Sequence, residues 1–256
     1  MDNSDVYVVA YTNGSCGSFI TAMIERLVQP NLVRLPLRGN KYNNCHRDLL
    51  TGNYKYNFAS DQEAPGKSIK TWFQKIEVRV PGKPVFIPTH YYTPREMLNR
   101  FPNARSIVIL HDRDDIPEIS TNSFFKFIIG ERAYDTDHAA RRNFDWFREH
   151  TAFIFDSMEI NRPEDIPVEL YPTFIELQSA SVIKFGFHLI NIRPEYEHCV
   201  FPIQYKDIIG NPDKVLDQLS EFTQMPMTDF VREQYYGYVE RQKKFLADIK
   251  KLLNYE

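Results

Sequence analysis

Apolar residues in this chain fall into short unbroken runs at 6–11, 85–88, 106–110, 152–155 and 200–205. Most do not alternate with polar residues, so they read as strands covered on both faces, the pattern of a parallel sheet. Helical spacing occupies 17–29, 94–100 and a stretch within 119–148. Strands and helices in alternation predict an α/β domain. Two C-terminal helices are plainer. Asn211-Pro212 supplies a cap and a first turn ahead of Val215, Leu216, Leu219 and Phe222. Thr228 is placed to cap a long last helix with Val231, Tyr235, Tyr238, Leu246, Ile249 and Leu253 on its apolar side. The stretch 39–84 has weak periodicity and reads as a long functional loop. No repeat, low-complexity tract or domain boundary interrupts the 256 residues, so a single domain, 1–256, is expected.

The first strand runs into Thr12-Asn13-Gly14-Ser15-Cys16-Gly17-Ser18-Phe19, and helical spacing resumes at Ile20, Met23, Ile24 and Leu27. Small residues let the backbone turn tightly, and the unsatisfied amides of a helix start then face the turn. Such a turn favours an anion through its N–H groups and the helix dipole. Counting removes several phosphate-binding patterns. A Walker loop needs Gly-Lys five residues after its first glycine, and Phe19 stands there after Gly14. Gly66-Lys67-Ser68 has Asp61 where that first glycine belongs and no strand before it. A cysteine phosphatase needs arginine six positions beyond its cysteine, where this chain has Ala22. The dinucleotide fingerprint Gly-x-Gly-x-x-Gly is absent as well.

Charge narrows the ligand without naming it. The net charge of −3 argues against a general nucleic-acid binder. Residues 31–83 hold ten Lys or Arg against four Asp or Glu, a local +6 that leaves −9 for the rest. A basic stretch suits an anionic ligand, and a solvated basic surface accounts for the same charges. Three cysteines without paired spacing suit a reduced, cytoplasmic setting. No apolar run approaches the ~20 residues of a membrane span. The polar start Met1-Asp2-Asn3-Ser4-Asp5 lacks the pattern of a secretory leader.

Four segments in order resemble the sulfotransferase family. Ser15-Cys16-Gly17-Ser18-Phe19 falls on that family's Lys-Ser-Gly-Thr-Thr turn when the glycines are matched. Val85-Phe86-Ile87-Pro88-Thr89-His90 is similar to its strand ending in Thr-His-Leu-Pro. Phe101-Pro102-Asn103-Ala104-Arg105, the strand after it and His111-Asp112-Arg113 resemble its Pro-x-Ala-Lys, strand, arginine segment. Gln204-Tyr205-Lys206-Asp207-Ile208, with Asn211-Pro212 and the stretch 219–222 after it, looks like its Tyr-Glu-Asp-Leu, proline, Phe-Leu-Gly stretch. Together these cover about residues 6–30, 85–123 and 200–225.

The resemblance implies a three-layer α/β/α fold with a mainly parallel central sheet and the topology of P-loop nucleotide hydrolases. It implies transfer of a sulfuryl group from PAPS (3′-phosphoadenylyl sulfate) to a hydroxyl of a small molecule or glycan, leaving PAP. His90 would be the general base, since histidine titrates near neutrality. The amides of Ser15, Cys16, Gly17, Ser18 and Phe19 would hold the 5′-phosphate, with the Ser15 and Ser18 hydroxyls as added donors. Arg113 would grip the 3′-phosphate with Thr121, eight residues on, and Ser120 stands next to it; pairing Ser120 instead would move the register by one and put Asp112 at the arginine position. Tyr205 carries over as a cofactor-side residue. No metal, nucleic acid or membrane is implied. The chain departs from the family at two places. Ser15 stands where the family has a turn lysine, and the Arg-Lys-Gly-x-x-Gly-x-Trp-Lys segment is not recognisable. Arg38, Lys41 and Arg47 are the cations available to replace that lysine.

Two other readings fit some of the same residues. Asp112-x-Asp114 after an apolar strand suits a divalent cation and a nucleotide-sugar in a glycosyltransferase. The missing lysine suits a non-catalytic module that binds a nucleotide or sulfated ligand.

Overall fold

The computed structural model describes residues 6–12, 14–30, 84–89, 104–125, 160, 165–185 and 200–253. Its sheet contains β1 (Val6–Ala10), β2 (Val85–Thr89), β3 (Arg105–Leu110) and β4 (Val200–Gln204) in the order β2-β1-β3-β4. All three pairings are parallel. Ala10 lies opposite Thr89 on one side and Val108 on the other. The chain therefore goes from β1 to β2 on one flank and returns to the opposite flank of β1 for β3. Open α/β sheets form their ligand crevice where the strand order reverses in this way, outside the carboxyl ends of the strands.

Every residue of β1 is buried, as is every residue of β3 after Arg105. On one face, Tyr7, Val9, Ile107 and Ile109 join Ile20, Ile24 and Leu27 of α1 (Gly17–Val28). The same core takes in Val215, Leu216 and Leu219 of α5 (Pro212–Thr223) and Val231 and Tyr235 of α6 (Asp229–Leu252). Val6, Val8, Ala10, Val108 and Leu110 alternate to the other face and are equally buried. The sheet is thus covered on both sides, as an α/β layered fold requires. β4 is less buried than β1: Pro202 is exposed, and among the described strands β4 stands at the edge of the sheet, where a proline is tolerated.

A second core forms where α2 (Ile116–Phe124) packs on α3 (Tyr171–Phe185). Phe124 stacks near Phe174 and meets Tyr171 edge-on. Ile249 of α6 closes this cluster from the side.

Several boundaries differ from the expectations. Tyr205 opens the short helix α4 (Tyr205–Gly210) instead of ending β4. α2 begins at Ile116, with Pro117 in its first turn. α3 had no sequence counterpart, because its apolar residues do not make a clean stripe. Thr228 caps α6 by accepting the Val231 N–H at 3.3 Å. Asn211 precedes α5 as expected, but its side chain turns back to Asp207 instead of capping. The expected loop at 39–84, apart from residue 84, and the expected elements at 94–100 and 152–155 lie outside the described residues.

Candidate functional site

The turn after β1 is shaped by two left-handed residues, Gly14 at φ 92 and Cys16 at φ 65. Only glycine fits at position 14. A Cβ there would stand 2.3 Å from the Ile119 carbonyl oxygen of α2 and 3.0 Å from the Ser123 nitrogen. Ser15 is fully buried, and both its N–H (3.0 Å) and its hydroxyl (2.7 Å) donate to the Thr12 carbonyl. Cys16 is the residue before α1, and its side chain makes no capping hydrogen bond. The first turn of α1 carries no acid. Its leading amides thus precede the intrahelical ladder with no acid in their own turn of helix, a condition that favours an anion.

Aromatic rings fix the start of α1 from two sides. Tyr11 lies against Gly17, and its hydroxyl is 2.6 Å from Ser18 Oγ. Phe19 is buried and stacks on Tyr238 with 3.7 Å between ring centroids. The Tyr238 hydroxyl donates to Cys16 Sγ at 3.0 Å.

β3 delivers His111 to the same edge. His111 is fully buried, and its Nε2 lies 3.2 Å from Thr12 Oγ1. Sequence reasoning passed over it in favour of Arg113. Arg113 instead sits exposed on a 3-10 turn, Arg113–Asp115. The overlooked signal was position: residue 111 directly follows the strand paired with β1. In the acidic run, the Asp115 carboxylate accepts the Asp112 N–H at 2.8 Å, and Asp112 pairs with Lys206 at 2.9 Å.

Of the two hydroxyls expected beside a 3′-phosphate, Thr121 donates to the Pro117 carbonyl at 2.7 Å. Ser120 is fully buried, and its Oγ has no hydrogen-bond partner among the described residues. Such an orphan is uncommon in a protein interior. Tyr205 is buried beside α2, where it donates to Glu118 Oε1 at 2.8 Å and accepts from Asn122 Nδ2 at 3.2 Å. The structure therefore brings Ser15, Cys16, Gly17, Ser18, Phe19 and Tyr205 to one side of α2. His90 and the candidate cations Arg38, Lys41 and Arg47 lie outside the described residues. The backbone of β2 ends at Thr89 opposite Ala10, so the chain leaves that strand at the turn's own edge of the sheet.

Burial governs the three phenols near Cys16. Burial pushes Tyr205, Tyr235 and Tyr238 well above the ordinary phenol range, and repulsion from Cys16 adds to it in each case. Glu118 contributes further at Tyr205. Among the described residues, no group of three His, Cys, Asp or Glu side chains is arranged to hold a metal ion. No helix among them is long and apolar enough to cross a membrane.

No protein-family model matches the chain, and no curated protein does. Among solved structures it is similar to a sulfotransferase domain from the curacin biosynthetic pathway, with 14% identity and a TM-score of 0.38 over 88% of this chain and 75% of that one. It is also similar to a sulfotransferase from Alicyclobacillus acidocaldarius, with 12% identity and a TM-score of 0.34 over 98% of this chain and 96% of that one.

Proposed function

We propose that this chain is a PAPS-dependent sulfotransferase acting on a hydroxyl acceptor, with carbohydrates among the candidates. The observation that carries the reading is the turn 14–18. Two left-handed residues lead into a helix with no capping side chain, at the carboxyl edge of β1 where the strand order reverses. Backbone amides there hold the 5′-phosphosulfate. The Ser15 hydroxyl and N–H both donate to the Thr12 carbonyl and the Phe19 N–H donates to the Cys16 carbonyl, so the amides of residues 16–18 are the ones proposed to meet the anion. Ser120 fits the 3′-phosphate as a buried hydroxyl without a partner among the described residues, and Arg113 supplies the charge.

In the reaction, the acceptor oxygen forms a bond to sulfur as the bond from sulfur to the phosphate oxygen breaks, and PAP leaves. His90 receives the acceptor's proton. Rate comes from in-line placement and from neutralising charge on the leaving group. Ser15 offers no cation for that purpose, and the basic stretch 31–83 is its proposed source. A cytoplasmic location is proposed from the cysteine pattern.

PAP should raise the melting temperature, because a ligand at a hundredfold excess over its Kd stabilises by about 2.7 kcal/mol. Labelled PAPS should transfer its sulfate to a member of a hydroxyl and glycan panel. His90→Ala should abolish transfer and keep the thermal shift. Absence of any shift at saturating PAP overturns the reading. A shift without transfer to any acceptor assigns a nucleotide-binding module instead.

A further inference from the structure

A directed chain of hydrogen bonds ties the last helix to the anion turn. Gln242 of α6 donates from Nε2 to Asn122 Oδ1 at 2.6 Å. Asn122 of α2 then donates from Nδ2 to the Gly14 carbonyl at 3.3 Å and to the Tyr205 hydroxyl at 3.2 Å. Tyr205 directs its own proton to Glu118 at 2.8 Å. The direction is fixed by chemistry. A carbonyl oxygen only accepts, so the Asn122 nitrogen must face Gly14, and its oxygen must then face a donor. Gln242 and Asn122 are both buried, at 4% and 0% exposure, where a misdirected amide has no water to turn to. One turn of helix earlier, Tyr238 donates to Cys16 Sγ and stacks on Phe19. α6 therefore grips the turn at both of its left-handed residues, Gly14 through Asn122 and Cys16 directly.

We infer that Gln242, Asn122 and Tyr238 are positioning residues that set the anion affinity of the turn, so that docking of α6 and nucleotide binding are linked. The inference rests on the proposed function, which supplies the anion. Convergent amides bind a phosphate only while the Gly14 and Cys16 conformations hold, and both depend on donors from outside the turn. Loss of one buried hydrogen bond at such a support is expected to weaken binding about tenfold.

The test compares PAP binding by calorimetry at ~20 °C, well below unfolding, in the full-length chain and three variants. Gln242→Met keeps the side-chain length and removes the donor. Tyr238→Phe keeps the stack and removes the hydroxyl. Gln178→Met is the control: it deletes a similar buried bond to the same helix, from Gln178 to Ser123 Oγ at 3.1 Å, and leaves the donors to the Gly14 carbonyl and Cys16 Sγ in place. The inference expects PAP affinity to fall about tenfold in Gln242→Met and several-fold in Tyr238→Phe, with Gln178→Met unchanged at a comparable loss of thermal stability. Equal weakening in all three variants, or none in the first two, overturns it while wild-type binding leaves the proposed function standing. If Gln242→Met does not fold, Tyr238→Phe against Gln178→Met decides. Absence of PAP binding by the wild-type chain overturns both.

Discussion

Tyr11 and Gly17 occupy one another's space so closely that a Cβ on Gly17 would fall 1.9 Å from Cγ of the tyrosine ring. The tyrosine, 3% exposed, cannot swing into solvent without uncovering the end of β1. Glycine at position 17 is thus required by a neighbour six residues away, in addition to any ligand.

Gly17→Ala should destabilise the fold by about 1–3 kcal/mol, the usual cost of forcing atoms into a packed core. Urea denaturation measures it. Removing the ring in Tyr11→Ala should reverse the sign of the Gly17→Ala effect, and an unchanged cost in that background would disprove the steric account.

His111 and Thr12 join the ends of β3 and β1. A double-mutant cycle of His111→Leu and Thr12→Val should show a coupling of about 0.5–1.5 kcal/mol, the net worth of a buried hydrogen bond. Additive losses would mean that the 3.2 Å contact holds nothing together.

Ser120 offers two readouts of opposite sign. Ser120→Ala removes a buried hydroxyl with no partner among the described residues, so stability should hold or rise. PAP affinity should fall in the same variant. Thr121→Val should leave PAP affinity unchanged, because that hydroxyl serves the Pro117 carbonyl.

Asp207 gives an acid-side prediction. Burial pushes its carboxyl up, yet the hydrogen bonds from Lys214 (2.6 Å) and Asn211 (2.7 Å) outweigh burial, and the pKa is lowered. A depressed folded pKa contributes stability above the ordinary carboxylate value of about 3.9, and that contribution is lost as pH falls through the folded value. Wild type should therefore exceed Asp207→Asn in stability at pH ~6, with the gap closing below pH ~4. Urea melts across that range provide the check.

On the alkaline side, burial raises the phenols of Tyr205, Tyr235 and Tyr238. Their raised folded pKa contributes stability below the unfolded value of about 10, and it is lost as pH rises above that value. Absorbance of phenolate should show a fraction of the 15 tyrosines ionising late, together with loss of helical circular dichroism. Smooth titration of all tyrosines in the folded protein would contradict their burial.

Local signals were legible where one element settles its own form. The run 6–10, the glycine turn and the stripe of Val231, Tyr235 and Tyr238 announce a strand, a turn and a helix. The Thr228 cap was equally local, since it closes on a backbone three residues away. Asn211 was legible as a helix boundary but not as a side-chain partner, because Asp207 lies on the preceding helix and competes for its amide. Which of Ser120 and Thr121 is buried was also hidden: adjacent helical residues point about 100° apart, and only the packing of α2 buries Ser120.

The sequence by itself determined a parallel α/β sheet, a tight glycine turn behind β1 and a long amphipathic last helix, because strand, turn and helix periodicities are properties of neighbouring residues. Tertiary structure decided which groups meet at the turn. His111 reaches Thr12 across 99 positions, Gln242 reaches Asn122 across 120 and Tyr238 reaches Cys16 across 222. No local pattern encodes such pairs, since they form only when the β1–β3 register and the docking of α6 bring distant donors and acceptors within about 3 Å of each other.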